Sequence, residues 1–178
     1  MSTRRIVITG VLAAIAIILG LTGWGFIPVP NVSGSATIMH VPAIIGGVLE
    51  GNLVGLLVGG IFGVFSWLQA QSTGNALFTN PLVSVVPRLF IGVVASMVYR
   101  ALRSKGEIVA LAVSGICGTL TNTILVVGAL ILFGLIPAAV VPTLIPQIIA
   151  EVIIATVITV AVVAAWKRID RGAGRSSI

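Results

Sequence analysis

Apolar runs separated by short connections, with every Lys and Arg but one kept to their ends or outside them, constrain this chain more than any other feature of its sequence. The runs cover roughly Arg5–Leu21, Ile38–Leu49, Leu53–Leu68, Phe78–Arg103, Ile108–Phe133 and Thr143–Trp166. None alternates with a period of two, so a β-barrel is excluded and the runs are predicted to be helices. At about 20 residues for each crossing of a bilayer, they predict an all-α membrane protein, a bundle of six transmembrane helices. The second run is short and has His40 and Pro42 at its entrance. Only 8% of the residues are charged and 58% are hydrophobic. A soluble domain carries about 25% charged residues, so no water-facing surface can be built from this chain. We read residues 1–168 as one transmembrane domain and 169–178 as a basic cytoplasmic tail. The first run follows Arg4-Arg5 as a signal peptide would, but Trp24, Phe26 and Pro28 come next rather than a small-residue cleavage site, so it is expected to be retained.

The placement of charge gives the expected orientation. Arg4 and Arg5 precede the first run; Arg100, Arg103 and Lys105 lie between the fourth and fifth; Lys167, Arg168, Arg171 and Arg175 follow the sixth. With six crossings all of these fall on one side. The opposite connections, Thr22–Thr37, Gln69–Asn80 and Gly134–Pro142, contain no Lys or Arg. That segregation predicts both termini in the cytoplasm of a multi-pass plasma-membrane protein. The net charge of +6 is therefore topological, with anionic lipid as its one further use and no role for nucleic acid. The outer connections are uncharged and rich in Gly, Pro, Ser, Thr, Asn and Gln, the composition of either solvated connectors or binding loops.

The exception is Arg88, in the run Phe78–Arg103, which opens at Asn80-Pro81 and carries a second proline at Pro87. An arginine at the centre of a span costs about 2.5–3.5 kcal/mol on insertion scales, so a partner, a water-filled cavity or a ligand is expected to meet it. Arg88 sits roughly 10 Å inside the outer end of its helix by the α-helical rise. Glu151, in the last run, lies at comparable or greater depth. The two either pair with each other or each meet a polar ligand. Asn122, among Thr119, Thr121 and Thr123, serves either ligand contact or helix packing. His40, the single histidine, is read as interfacial or cavity-lining, because a metal site needs more ligands than it offers. Trp24, Trp67 and Trp166 fall near span ends as an aromatic belt would, and Trp67 is also a candidate for the wall of an outer pocket. Cys117 stands alone in an apolar segment, which excludes a disulfide framework and a cysteine metal site.

Two rows of small residues predict close helix contacts: Gly10 and Ala14 in the first run, and Gly51, Gly55, Gly59 and Gly63 in the third. The spacing does not say whether their partners are internal or belong to another subunit. No G-x-x-x-x-G-K-[ST], H-E-x-x-H or G-x-S-x-G motif occurs. The chain is read as a binder without enzymatic activity or cofactor, which needs help to move anything. The rival readings are a stand-alone proton-coupled carrier acting through Glu151 and a small intramembrane enzyme using Glu151 with His40.

The segments A-T-I-M-H-V-P-A-I-I-G-G-V-L-E-G (Ala36–Gly51), F-T-N-P-L-V-S-V-V-P-R-L-F-I-G (Phe78–Gly92) and G-T-L-T-N-T, with a glutamate in the last helix, resemble S components of energy-coupling factor (ECF) vitamin transporters. The resemblance covers nearly the whole chain, and the P-R-L-F-I-G block with its preceding N-P is its most specific part. It implies six helices, cytoplasmic termini, and an outward vitamin pocket closed by the first connection. The implied partners are a membrane coupling subunit with two ATPases and a vitamin of the pantothenate, riboflavin, cobalamin or folate class. The pantothenate-type branch is favoured by Arg88, which suits a carboxylate, and by the Met39–Pro42 and Asn80-Pro81 segments. Implied substrate contacts are Arg88, Asn122, Glu151, Asn80, His40 and Trp67. Gly10 and Ala14 match the family's coupling-subunit motif, with glycine where alanine is usual at the first position.

Overall fold

A computed structural model describes residues 1–28 and 35–173. The chain runs α1 (Thr3–Thr22), β1 (Phe26–Pro28), β2 (Ser35–Thr37), α2 (Val41–Glu50), α3 (Asn52–Thr73), α4 (Pro81–Ser84), α5 (Val86–Leu102), α6 (Glu107–Leu132) and α7 (Ile145–Ala173). Single 3-10 segments, Ala76–Phe78 and Ala138–Leu144, lead into α4 and α7. Residues 174–178 of the expected tail lie outside the described residues, and α7 carries the helix through 169–173.

Among the described residues, five helical segments are long and apolar enough to cross a bilayer: α1, α3, α4 with α5, α6, and α7 with the turn before it. The second expected crossing differs. α2 is a helix of 10 residues, about 15 Å by its rise against a hydrocarbon core of about 30 Å. Its interior position accounts for its apolar character: Ala43 and Ile44 are fully buried, and α2 packs on α1, α3, α5, α6 and α7. The expectation of an all-α bundle is also modified by a small antiparallel hairpin in the first connection. There Phe26 pairs with Thr37, Ile27 with Ala36 and Pro28 with Ser35. The hairpin is tied to the end of α1 by Gly25 N–H donating to Leu19 O, and Ile38 N–H donates to Gly25 O.

The glycine row of α3 faces inward, onto α5. A Cβ on Gly59 would stand 2.1 Å from Arg88 O, one on Gly55 2.7 Å from Gly92 C, and one on Gly63 2.9 Å from Val85 Cα. Only a hydrogen at these positions lets the α3 and α5 backbones approach so closely. This contact fixes the backbone that carries Arg88.

Ion pairs gather at one end of the bundle. Arg4 Nε lies 2.9 Å from Glu50 Oε1 and Arg5 Nε 3.5 Å from Glu50 Oε2, which ties the start of α1 to the end of α2. At the same end Lys167 of α7 bonds both Tyr99 of α5 and Glu107 of α6. The basic residues of the N-terminus, the α5–α6 turn and α7 thus share an end, as the charge pattern predicts.

Candidate functional site

A cavity of about 630 Å³ opens at the other end, between α3, α5, α6, α7 and the hairpin. Its wall includes Phe26 and Thr37 from the hairpin, Phe62 and Gln69 from α3, and Arg88 from α5. Asn122 and Thr123 of α6 and Gln147 and Glu151 of α7 add to its polar lining, with Ser66, Thr73 and Asn75. A second hollow of about 440 Å³, between α1, α3 and α5, is lined only by apolar side chains such as Ile17, Leu56 and Leu89. It offers nothing to orient a polar ligand, so the site is the first cavity.

Proline chemistry places Arg88. Asn80 caps α4, its Oδ1 accepting from Leu82 N–H at 2.9 Å, and Pro81 takes the first helical position, where no N–H is needed. Pro87 lacks the N–H that would have bonded Val83 O one turn back, so the helix breaks at Val85 and restarts as α5. Arg88 Nη1 donates to that freed Val83 carbonyl at 2.6 Å. The guanidinium carbon lies 5.1 Å from the centroid of the Phe78 ring and 5.8 Å from that of Phe62, within cation–π range. Arg88 is only 6% exposed, and no described carboxylate lies within ion-pair distance of it.

Arg88 and Glu151 therefore share a cavity without forming a pair. Glu151, 4% exposed, is held within the chain. Its Oε1 accepts from Thr37 N–H at 2.7 Å, from Thr37 Oγ1 at 3.2 Å and from Gln147 Nε2 at 3.0 Å. Three buried polar atoms in the wall have no hydrogen-bond partner among the described residues: Arg88 Nε, Asn122 Oδ1 and Thr123 Oγ1. Leaving a buried donor or acceptor unmet costs about 1–3 kcal/mol each, so together they make a site for something polar.

The other candidates are engaged elsewhere. His40 is fully buried between α2 and α6, with Nε2 3.0 Å from Thr119 Oγ1, and does not reach the cavity. Trp67 Nε1 donates to Thr79 O at 2.9 Å and braces the α3–α4 connection. Asn80 is the helix cap described above. Thr37, Thr123 and Gln147 were not singled out as contacts from the sequence. Gln147 was within reach of sequence reasoning, since it lies one turn before Glu151 on the same helix face. Thr37 was not, because it lies 114 residues from Glu151 along the chain. Gly10 and Ala14 lie on the exposed face of α1, and a Cβ on Gly10 would meet nothing within 4 Å.

The sequence profile described as "ECF transporter, substrate-specific component" matches residues 4–163. The chain belongs to this family. Its long apolar helices fit a multi-pass protein of the plasma membrane. Among its relatives, "Pantothenate transporter PanT" of Leuconostoc mesenteroides subsp. mesenteroides is 33% identical over 111 residues, 58% of this chain and 54% of the relative. "Pantothenic acid transporter PanT" of Lactococcus lactis subsp. cremoris is 25% identical over 114 residues, 54% of this chain and 57% of the relative. The chain spans about half the length of the curated relatives it matches. A solved S component of a bacterial ECF transporter superposes with a TM-score of 0.66 over 96% of this chain and 98% of its own, at 18% identity, a likeness of fold.

Proposed function

We propose that this ECF component captures pantothenate, or a close analogue with a carboxylate beside hydroxyl and amide groups, from outside the cell. The observation that carries the reading is the buried guanidinium of Arg88, with no carboxylate in ion-pair reach among the described residues, in the same cavity wall as the unmet acceptor Asn122 Oδ1 and the unmet hydroxyl of Thr123. A bound carboxylate gives Arg88 a charge-assisted bond in a low-dielectric, aromatic-walled site, where such bonds are strongest. Asn122 Oδ1 accepts from a ligand hydroxyl or amide N–H, and Thr123 Oγ1 bonds either way. Apolar wall residues such as Val126 and Ile148 suit the ligand's alkyl part. The names of both relatives support the same ligand.

In this reading the end bearing Arg4, Lys105 and Lys167 faces the cytoplasm, with both termini there, and the cavity opens outward. Residues 1–168 act as one membrane domain. The exposed Gly10–Ala14 face of α1 docks on a membrane coupling subunit carrying two ATPases, because small residues there let a partner helix come close. The protein supplies binding and no chemistry; the ATPases supply the work. The test is equilibrium binding of radiolabelled pantothenate to the purified protein in lipid nanodiscs, with native mass spectrometry of what co-purifies. Saturable one-to-one binding is expected, and its absence, or co-purification of an uncharged ligand, overturns the assignment.

A further inference from the structure

We infer that Glu151 is a positioning residue that latches the wall of the cavity through Thr37. Its Oε1 is already occupied by the backbone N–H and hydroxyl of Thr37 and by Gln147 Nε2. The carboxylate is 4% exposed and spans 114 residues of sequence, joining β2 to α7, where both line the cavity. A charge-assisted bond to a backbone N–H is about twice as strong as a neutral one. It also holds the chain itself in place, so the strand segment at Thr37 cannot swing from α7 until this bond breaks. All the bonded atoms belong to the protein.

The kinetic signature follows from that last fact. Weakening a bond within the protein shifts the opening equilibrium of the wall by the same factor whether the cavity is empty or loaded. Association and dissociation then accelerate together and Kd stays where it was. A residue that touches the ligand behaves differently: its loss speeds dissociation, leaves association alone and raises Kd.

The experiment takes the intact protein in nanodiscs and rests, for its binding arm, on pantothenate as the ligand. Glu151→Gln keeps the shape and removes the charge; Thr37→Val removes the hydroxyl bond alone. Stopped-flow binding of pantothenate is expected to show both rate constants rising on the order of tenfold in Glu151→Gln and a few-fold in Thr37→Val, with Kd within about threefold of the parent. A second arm needs no ligand. In a Cys117→Ala background, Val126→Cys places a thiol in the cavity wall. Its labelling by a membrane-impermeant maleimide is expected to quicken by a similar factor when Glu151→Gln is added. Faster dissociation alone, with Kd raised in proportion, makes Glu151 a ligand contact and overturns the latch. Unchanged rates and unchanged labelling overturn it equally. Should the parent protein not bind pantothenate, the ligand assignment fails, and the labelling arm still decides the latch.

Discussion

Adding one methyl group at Gly59 should disturb ligand binding from the far side of Arg88. The Cβ of Gly59→Ala would stand 2.1 Å from Arg88 O and 3.1 Å from Arg88 C, whereas ordinary contact begins at 3.4 Å. Both obstructing atoms are backbone, so no side chain can rotate aside, and α5 must move off α3 by about 1 Å to restore contact. Overpacking of this kind costs about 1–3 kcal/mol, a fall of roughly 2–12 °C in Tm for a chain of this size. The same shift drags the guanidinium from the Val83 carbonyl and the phenylalanine rings, so affinity should fall at least about tenfold, since a misplaced charged hydrogen bond loses more than 1.4 kcal/mol. The next residue is the control. A Cβ on Gly60 meets only Leu89 Cδ2, at 3.1 Å, a flexible side-chain end. Gly60→Ala should therefore melt and bind like the parent. Thermal unfolding in detergent and calorimetric titration with pantothenate measure the two effects. If Gly59→Ala matches Gly60→Ala in both, the close packing of α3 on α5 does not position Arg88.

Other outcomes follow from the same geometry. Gly10→Leu and Ala14→Leu, on the open face of α1, should leave pantothenate binding within about twofold while stopping uptake in cells that contain the coupling module; normal uptake by both would remove α1 as the docking face. Trp67→Phe loses the Nε1 bond to Thr79 O and should cost about 0.5–1.5 kcal/mol of stability with affinity unchanged, read by melting and titration together.

Much of this was legible in the sequence, and the physical reason is the bilayer. Apolar length and the exclusion of Lys and Arg report directly on crossings, so α1, α3, α5, α6 and α7 were each located by their runs. Arg88 and Glu151 stood out because ionisable groups in hydrocarbon are costly, and the structure places both in one cavity with Asn122. The glycine row of α3 announced a close contact, although spacing alone could not name α5 as the partner. α2 agrees only in part: its bounds match the short second run, but it is too short to cross the hydrocarbon core by itself. A buried half-length helix is as apolar as a crossing, and only its Gly51 C-cap with φ of 95° marks where it stops. His40 Nε2, Asn80 Oδ1 and Trp67 Nε1 are engaged locally, by a threonine hydroxyl, a helix cap and a loop carbonyl. From sequence alone a satisfied polar group looks the same as one waiting for a ligand. The Thr37–Glu151 contact is of a third kind, set by the meeting of two distant segments that no local pattern announces.

The central claim is that the Arg88 guanidinium receives the carboxylate of the ligand, and its most direct test compares two ligands on two proteins. Pantothenate and its uncharged alcohol, pantothenol, differ only at that group. The parent protein should prefer pantothenate by at least about 30-fold, the lower bound for unpairing a buried charge, and Arg88→Met should erase the preference while the protein still inserts and melts cooperatively. If Arg88→Met discriminates between the two as the parent does, the carboxylate is read elsewhere and the account is wrong.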